Sequence, residues 1–178
     1  PGSFKDRILM ERGPHQMLEG ILIAAWATGA EKTFIYVRGE YALPAARIER
    51  AIAEARERGF LGERICGKEF THDIVLMRGA GAYICGEEGS LRNSLEGKHP
   101  FPRNLPPFPV THGFEDLPTA VNNVETLASV PHIVRRGAEW YRGLGHNGQA
   151  GTKLISLSGD VEKPGNYEVP LGLPLQTL

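Results

Sequence analysis

A parallel α/β fold is what this sequence predicts, and three observations carry the prediction. The segments "KTFIYVRGEY" (32–41) and "HDIVLMRG" (72–79) are short apolar runs of strand character. Between them, "PAARIERAIAEARERGF" (44–60) repeats apolar residues at helical spacing, with Glu and Arg interleaved on the other side. Strand, helix, strand within a few dozen residues is the pattern of a parallel unit. Just past the second strand stands "RGAGAYICGEEGS" (78–90), where such sheets bind ligands, beyond the carboxyl ends of their strands.

The elements follow in order. A helix is expected over about 14–29, with Leu18, Ile21, Leu22, Ala25 and Trp26 at i, i+3, i+4 spacing and Gly29 near its end. The strand at 32–41 is apolar enough to be buried on both faces. The helix at 44–60 sets Ala46, Ile48, Ala51, Ile52 and Ala55 on one side and ends at Gly59. A short helix is expected over about 86–95. The run "GKHPFPRNLPPFPVTHG" (97–113) carries Pro100, Pro102, Pro106, Pro107 and Pro109, which bars regular helix and favours a stiff, extended loop. "PTAVNNVETLASVPHIVRRGAEWYRGL" (118–144) reads as helical again, with Pro118 at a start and Pro131 as an internal kink or break. "GHNGQAG" (145–151) is a linker by composition. Two β-type runs around a Pro-Gly turn in "TKLISLSGDVEKPGNYEVP" then suggest a second, mainly β domain. The domain reading is residues 1–146 for the α/β part and 147–178 for the start of the β part.

Bulk properties narrow the function classes. A chain of 178 residues suits one domain, or one domain plus a piece of another. A formal net charge of −1 without a polybasic face points away from nucleic acid and anionic membranes. "ILIAAWA" at 21–27 is too short to span a bilayer, so the chain reads as soluble, without direct membrane insertion. Cys66 and Cys85 form no CxxC pair and read as buried small hydrophobes or free thiols of a reducing compartment. The histidines show no HxxxH or HExxH pair, so no zinc site is expected. With Pro1 first, Met10 the first methionine and no signal-peptide pattern, the sequence reads as a piece of a longer protein.

The glycine stretch is the candidate site. Gly81 and Gly86 bracket four residues, the glycine spacing of a P-loop, but Glu87 and Glu88 stand where that loop carries Lys and Ser or Thr. Two carboxylates there would repel a triphosphate. The dinucleotide fingerprint fails too, since after Gly79 and Gly81 the third glycine falls at 86, two places late. Acidic residues in the first turn of a helix are favoured by its dipole, and glycines serve tight turns, so a purely structural reading stands beside a functional one. Small residues, the ring of Tyr83 and two carboxylates coincide at one spot. A flat aromatic ligand with donor-rich hydroxyls or amides, such as a flavin or nicotinamide, suits that mixture better than a bare phosphate.

The motifs "RGAGAYICGEE", "NSLEG", "PRNLPPFP" and "PTAVNNVETLASVP", with the opening "PGSFKDRILMERGPHQMLEG" and "YVRGEY", closely resemble the family of NADH-oxidising flavoprotein subunits of respiratory complex I. That family includes the diaphorase subunits of NAD-linked hydrogenases and formate dehydrogenases. The resemblance implies a Rossmann-like parallel-sheet domain for FMN and NADH, truncated at its N-terminus here, followed by the start of a β-grasp domain. It implies that Tyr83, Gly86, Glu87 and Glu88 contact the flavin, with Glu88 also facing the nicotinamide side of NADH. Asn122, Asn123 and Thr126 match polar flavin contacts, although on the residues alone helix capping and a surface turn suit them equally. Phe108 matches a ring that stacks on the adenine end of the dinucleotide. No catalytic acid or nucleophile and no metal ligand is implied in this stretch.

The implied chemistry is hydride transfer from NADH to FMN, then single electrons to an iron–sulfur centre for quinone reduction or another acceptor. The family's flavin-phosphate loop lies upstream of Pro1 and the cysteines of its 4Fe-4S cluster lie downstream of Leu178. Implied partners are NADH and other subunits of an electron-transfer complex, an iron–sulfur protein among them, in the cytoplasm at the inner face of the membrane. Leu105 departs from a common Lys of the family, which implies weaker NADH binding or a changed nucleotide preference. Gly89 and Ser90 depart from the more usual Thr or Ser and Ala. The competing reading is a degenerate docking subunit that keeps the fold without turnover.

Overall fold

A computed structural model of the chain describes residues 3–177. In chain order its regular elements are α1 (Lys5–Arg12), α2 (Pro14–Thr28), β1 (Lys32–Val37), α3 (Ala42–Glu57), β2 (Asp73–Arg78), α4 (Glu88–Leu95), α5 (Val124–Arg136), α6 (Ala138–Gly143), β3 (Thr152–Leu157) and β4 (Gly165–Pro170). They fall into two compact units, residues 30–123 and residues 3–29 with 124 onward.

In the first unit β1 and β2 pair in parallel, from Lys32 opposite Asp73 to Val37 opposite Arg78, with α3 in the crossover. The fold is mixed α/β with parallel strands, as the spacing predicts. Burial on both faces of β1 is corrected: Ile35 and Val37 are buried, whereas Thr33, Phe34 and Tyr36 are half-buried. Side chains alternate across a strand, and the second face carries rings with their own partners. Phe34 lies 4.7 Å from the Phe114 ring, and the Tyr36 hydroxyl is 2.9 Å from Ser94 Oγ. On α3 the buried stripe is Ala45, Ile48, Ala51, Ile52 and Ala55, and Ala46 is exposed. Two residues before Ile48 is more than half a helical turn away, so Ala45 takes the place expected of Ala46. The helix closes as predicted at Gly59 (φ 71°), where Gly59 N–H donates to Arg56 and Phe60 N–H to Ala55. His72 is fully buried, with Nδ1 2.8 Å from the Ala30 carbonyl oxygen and Nε2 3.0 Å from Thr33 Oγ1.

The helix expected from Pro118 begins only at Val124. Thr119 explains the delay. Its N–H donates to Pro109 (2.9 Å), and its hydroxyl accepts from Phe114 N–H and donates to Leu117, so its polar groups serve a loop.

In the second unit α2 packs on α5, and Gly20 makes that approach possible: a Cβ there would run into the Leu127 carbonyl. Pro131 neither ends nor breaks α5; the interruption comes at Gly137 (φ 89°), before α6. Strands β3 and β4 pair antiparallel, Thr152 opposite Pro170 and Leu157 opposite Gly165. The linker-like run 145–151 is fastened by backbone bonds, His146 to Leu171, Gly151 to Tyr141 and Leu171 to Gly151, each 2.8 or 2.9 Å. Glu125 joins three elements: its carboxylate meets Lys5 of α1 at 2.7 Å and Lys153 of β3 at 2.8 Å, and accepts from Leu154 N–H at 2.6 Å. Among the described residues no helix is long and apolar enough to cross a membrane.

Candidate functional site

The site begins where the two parallel strands stop. Gly79 N–H donates to the Val37 carbonyl (2.8 Å), and Arg78 Nη2 donates to Gly39 (2.6 Å), drawing the two strand exits together. Gly39 and Gly79 are demanded by this packing, since a Cβ on Gly39 would strike Gly79 and one on Gly79 would lie 2.6 Å from the Tyr36 hydroxyl. Gly81 (φ 91°) and Gly86 differ: a Cβ on either would meet nothing within 4 Å. At these two positions bare backbone faces open space.

Between them a 3-10 turn, Tyr83–Gly86, precedes α4, where sequence spacing suggests a helix from about 86. It buries Cys85 and turns Tyr83 (66% exposed) and Ile84 (43% exposed) outward. The two carboxylates then diverge in role. Glu87 is the N-cap of α4, its oxygens accepting from Gly89 N–H (2.9 Å), Ser90 N–H (2.8 Å) and the Ser90 hydroxyl (3.1 Å). Those backbone N–H groups hold its carboxyl below the ordinary carboxylate range. Glu88, the first residue of the helix, is half-buried. Its carboxylate makes no hydrogen bond or ion pair among the described residues.

The helix that starts at Glu88 also carries the proline-rich loop. Arg92, only 1% exposed, donates from Nε to the Glu88 carbonyl (3.3 Å) and from Nη1 to His112 (3.1 Å). Asn93 donates to Phe101 (2.7 Å) and accepts from Arg103 Nε (2.8 Å). Arg103 Nη1 donates to Gly113 (3.2 Å), and Nη2 meets Glu96 at 2.6 Å. Burial of Glu96 works to raise its pKa, but Arg103, Lys98 and the Glu115 N–H outweigh it and pull the carboxyl from 4.5 down to about 2. Phe108 lies on this loop with its ring 56% exposed, while its carbonyl accepts from Thr111 N–H, the Thr111 hydroxyl and His112 N–H.

Tyr83, Gly86, Glu87 and Glu88 thus share one turn and helix start, and Phe108 rides on a loop tied to the same helix. Asn122 and Asn123 are exposed at the end of the first unit, just before α5; Thr126 is exposed on α5 in the second. Sequence reasoning misses Arg92, Asn93, Glu96 and Arg103. The available signal was an Arg inside a short helix followed at i+4 by Glu, a pattern that reads as a solvated surface pair unless burial is known.

Comparison with known proteins settles the family. The profile described as the Nuo51 FMN-binding domain matches residues 1–132. The chain belongs to this family. Among relatives of the Nuo51 FMN-binding chain, the second F subunit of NADH-quinone oxidoreductase in Rhizobium meliloti (strain 1021) is 55% identical over 178 residues, covering 100% of this chain and 42% of the relative. The F subunit of NADH-quinone oxidoreductase in Escherichia coli (strain K12) is 51% identical over 172 residues, 97% of this chain and 39% of the relative. The crystal structure of an NAD+-reducing NiFe hydrogenase in the H2-reduced state superposes with a TM-score of 0.85 at 47% identity, over 99% of this chain and 30% of that one. The chain spans about two fifths of the length of these curated relatives.

Proposed function

We propose that this chain supplies one wall of an FMN and NADH site in an NADH dehydrogenase module. The observation that carries the reading is the division of labour at the end of β2. One carboxylate, Glu87, is engaged as a helix cap, while Glu88 stands unpaired beside bare glycine backbone and an exposed aromatic ring. An unpaired, half-buried carboxylate favours a ligand with donor hydroxyls or amides. FMN fits what is present: Tyr83 offers a face for its planar ring, the backbone at Gly86 allows close approach, and the α4 start supplies oriented dipoles. Once bound, FMN supplies the acceptor for hydride and releases electrons one at a time. The protein's part is to stack, orient and exclude water.

Within this reading Glu88 also faces the nicotinamide, Phe108 stacks on the adenine, and Asn122, Asn123 and Thr126 hold polar flavin atoms. We assign residues 1–146 to the FMN/NADH domain and 147–178 to the start of a β-grasp domain whose first hairpin is β3–β4. The whole protein passes electrons to a 4Fe-4S centre held outside this stretch, and serves quinone reduction or another acceptor through partner subunits, iron–sulfur proteins among them. Its place is cytoplasmic, at the inner face of the membrane. The relatives' names as oxidoreductase subunits support that assignment.

The deciding test is the visible spectrum of the full-length protein, purified anaerobically, before and after NADH. A flavin band that bleaches is the expected result. No flavin after incubation with FMN would overturn the reading in favour of a docking subunit without turnover.

A further inference from the structure

We infer that Arg103, backed by Arg92, is a positioning residue for the dinucleotide: it fixes the Phe108 loop to the helix that begins at Glu88. This inference rests on the flavin–nucleotide reading above. The loop of residues 97–113 contains no regular secondary structure and is rich in proline. Proline stiffens such a segment along its own length but does not set where it lies against the rest of the fold. That placement falls to two guanidinium groups, both anchored on α4.

Arg103 enters the helix surface from the loop's first half. Its three donor nitrogens reach three acceptors on two segments: Asn93 Oδ1 at 2.8 Å, Glu96 Oε2 at 2.6 Å and the Gly113 carbonyl at 3.2 Å. Its main chain lies so close to α4 that a Cβ on Gly89, the position directly after Glu88, would be 2.6 Å from Arg103 N. Arg92 acts from the helix outward: buried along its length, it donates to the carbonyls of Glu88 and His112. His112 N–H in turn donates to the Phe108 carbonyl at 2.9 Å. A short chain of bonds therefore runs from the Glu88 main chain through Arg92 and His112 to Phe108, and Arg103 closes it from the other side of the loop.

A planar five-donor fork reaches several acceptors at once, and an ammonium cannot hold the same set in the same directions. Neither arginine touches the bound ligand in this scheme. They determine how far the adenine-stacking ring stands from the carboxylate that faces the nicotinamide, and preorganisation of that kind is read in affinity.

The test is Arg103→Lys in the full-length protein, with three readouts. Hydrogen exchange of residues 104–112, measured with and without FMN, should rise about tenfold while exchange in α3 stays as in the parent. The KM for NADH with an artificial electron acceptor should rise about tenfold, with kcat within about twofold and flavin content unchanged. Parent-like exchange, or a parent-like KM, overturns the inference. So does a parallel loss of flavin and kcat, which would make Arg103 a general structural residue. Where Arg103→Lys does not fold, Asn93→Ala removes the acceptor for Nε and the donor to Phe101, and is read the same way. A parent that fails to bleach with NADH refutes the functional reading instead, and the exchange readout still reports on the clamp.

Discussion

At the residue scale, the paired carboxylates separate into a structural and a ligand-facing member, and substitution should separate them too. Glu87→Ala removes acceptors from two N–H groups and a hydroxyl at the start of α4. It should cost about 1 kcal/mol, the ordinary loss for a helix N-cap, read by urea unfolding. Glu88→Gln removes no bond seen in the fold, so its unfolding midpoint should stay at the parent value while NADH affinity falls. A lowered midpoint with unchanged affinity would reverse the two roles. Leu105, half-exposed on the proline-rich loop, lacks the charge and donors of the Lys common in relatives. Leu105→Lys should lower the NADH KM or shift the ratio of the NADH and NADPH values; identical kinetics would remove Leu105 from the account of nucleotide binding.

At the element scale, a proline and a glycine that look like defects in two helices answer each other. Proline has no N–H, so Pro131 leaves the Leu127 carbonyl four residues earlier without its helical donor. Gly20 of α2 is the residue whose missing side chain makes room for that carbonyl. Gln16 Nε2 donates to the adjacent Ala128 carbonyl at 2.7 Å, so the backbone of α5 is partnered from α2. Helix packing at this distance tolerates only small residues. Gly20→Ala should destabilise the second unit by about 1–3 kcal/mol, the usual cost of overpacking, despite the better helix propensity of alanine. A thermal midpoint equal to or above the parent's would show that α2 and α5 can move apart without loss.

At the scale of the whole molecule, each compact unit is tied by one buried carboxylate: Glu96 in the first, 6% exposed at its side chain, and Glu125 in the second. Burial alone would raise both; cationic partners and backbone N–H groups bring both below the ordinary 4.5. A carboxyl depressed in the folded state contributes stability that is complete above its unfolded value and disappears as pH falls through its folded value. For Glu96 that window runs from 4.5 down to about 2 and is worth on the order of 2–3 kcal/mol. Glu96→Gln should therefore be less stable near neutrality and lose less stability than the parent between pH 4.5 and 2, measured by urea titration at each pH. An unchanged acid slope would show that Glu96 is not the group that titrates. Lys5 works in the opposite direction: burial opposes its charge, yet Asp6 and Glu125 raise it, so its contribution holds below 10.5 and fades as pH climbs past its folded value.

Local chemistry alone determined the parallel strands, the crossover helix with its Gly59 stop, the stiff 97–113 loop and the glycine turn with its paired carboxylates. Each depends on periodicity, glycine or proline within a few residues, and such signals survive in a single chain. The motifs of that turn and loop also carried the family. Tertiary structure alone decided that Thr119 delays α5 and that α5 runs through Pro131. It likewise decided that Glu87 caps while Glu88 does not, and that Arg92, Arg103 and Glu96 hold the loop. Those outcomes turn on burial and on partners brought together through space, from Thr119 with Pro109 to Arg103 with Asn93 and Gly113. A charged residue in a polar stretch reads the same whether it meets water or a buried carbonyl, and only the fold says which it meets.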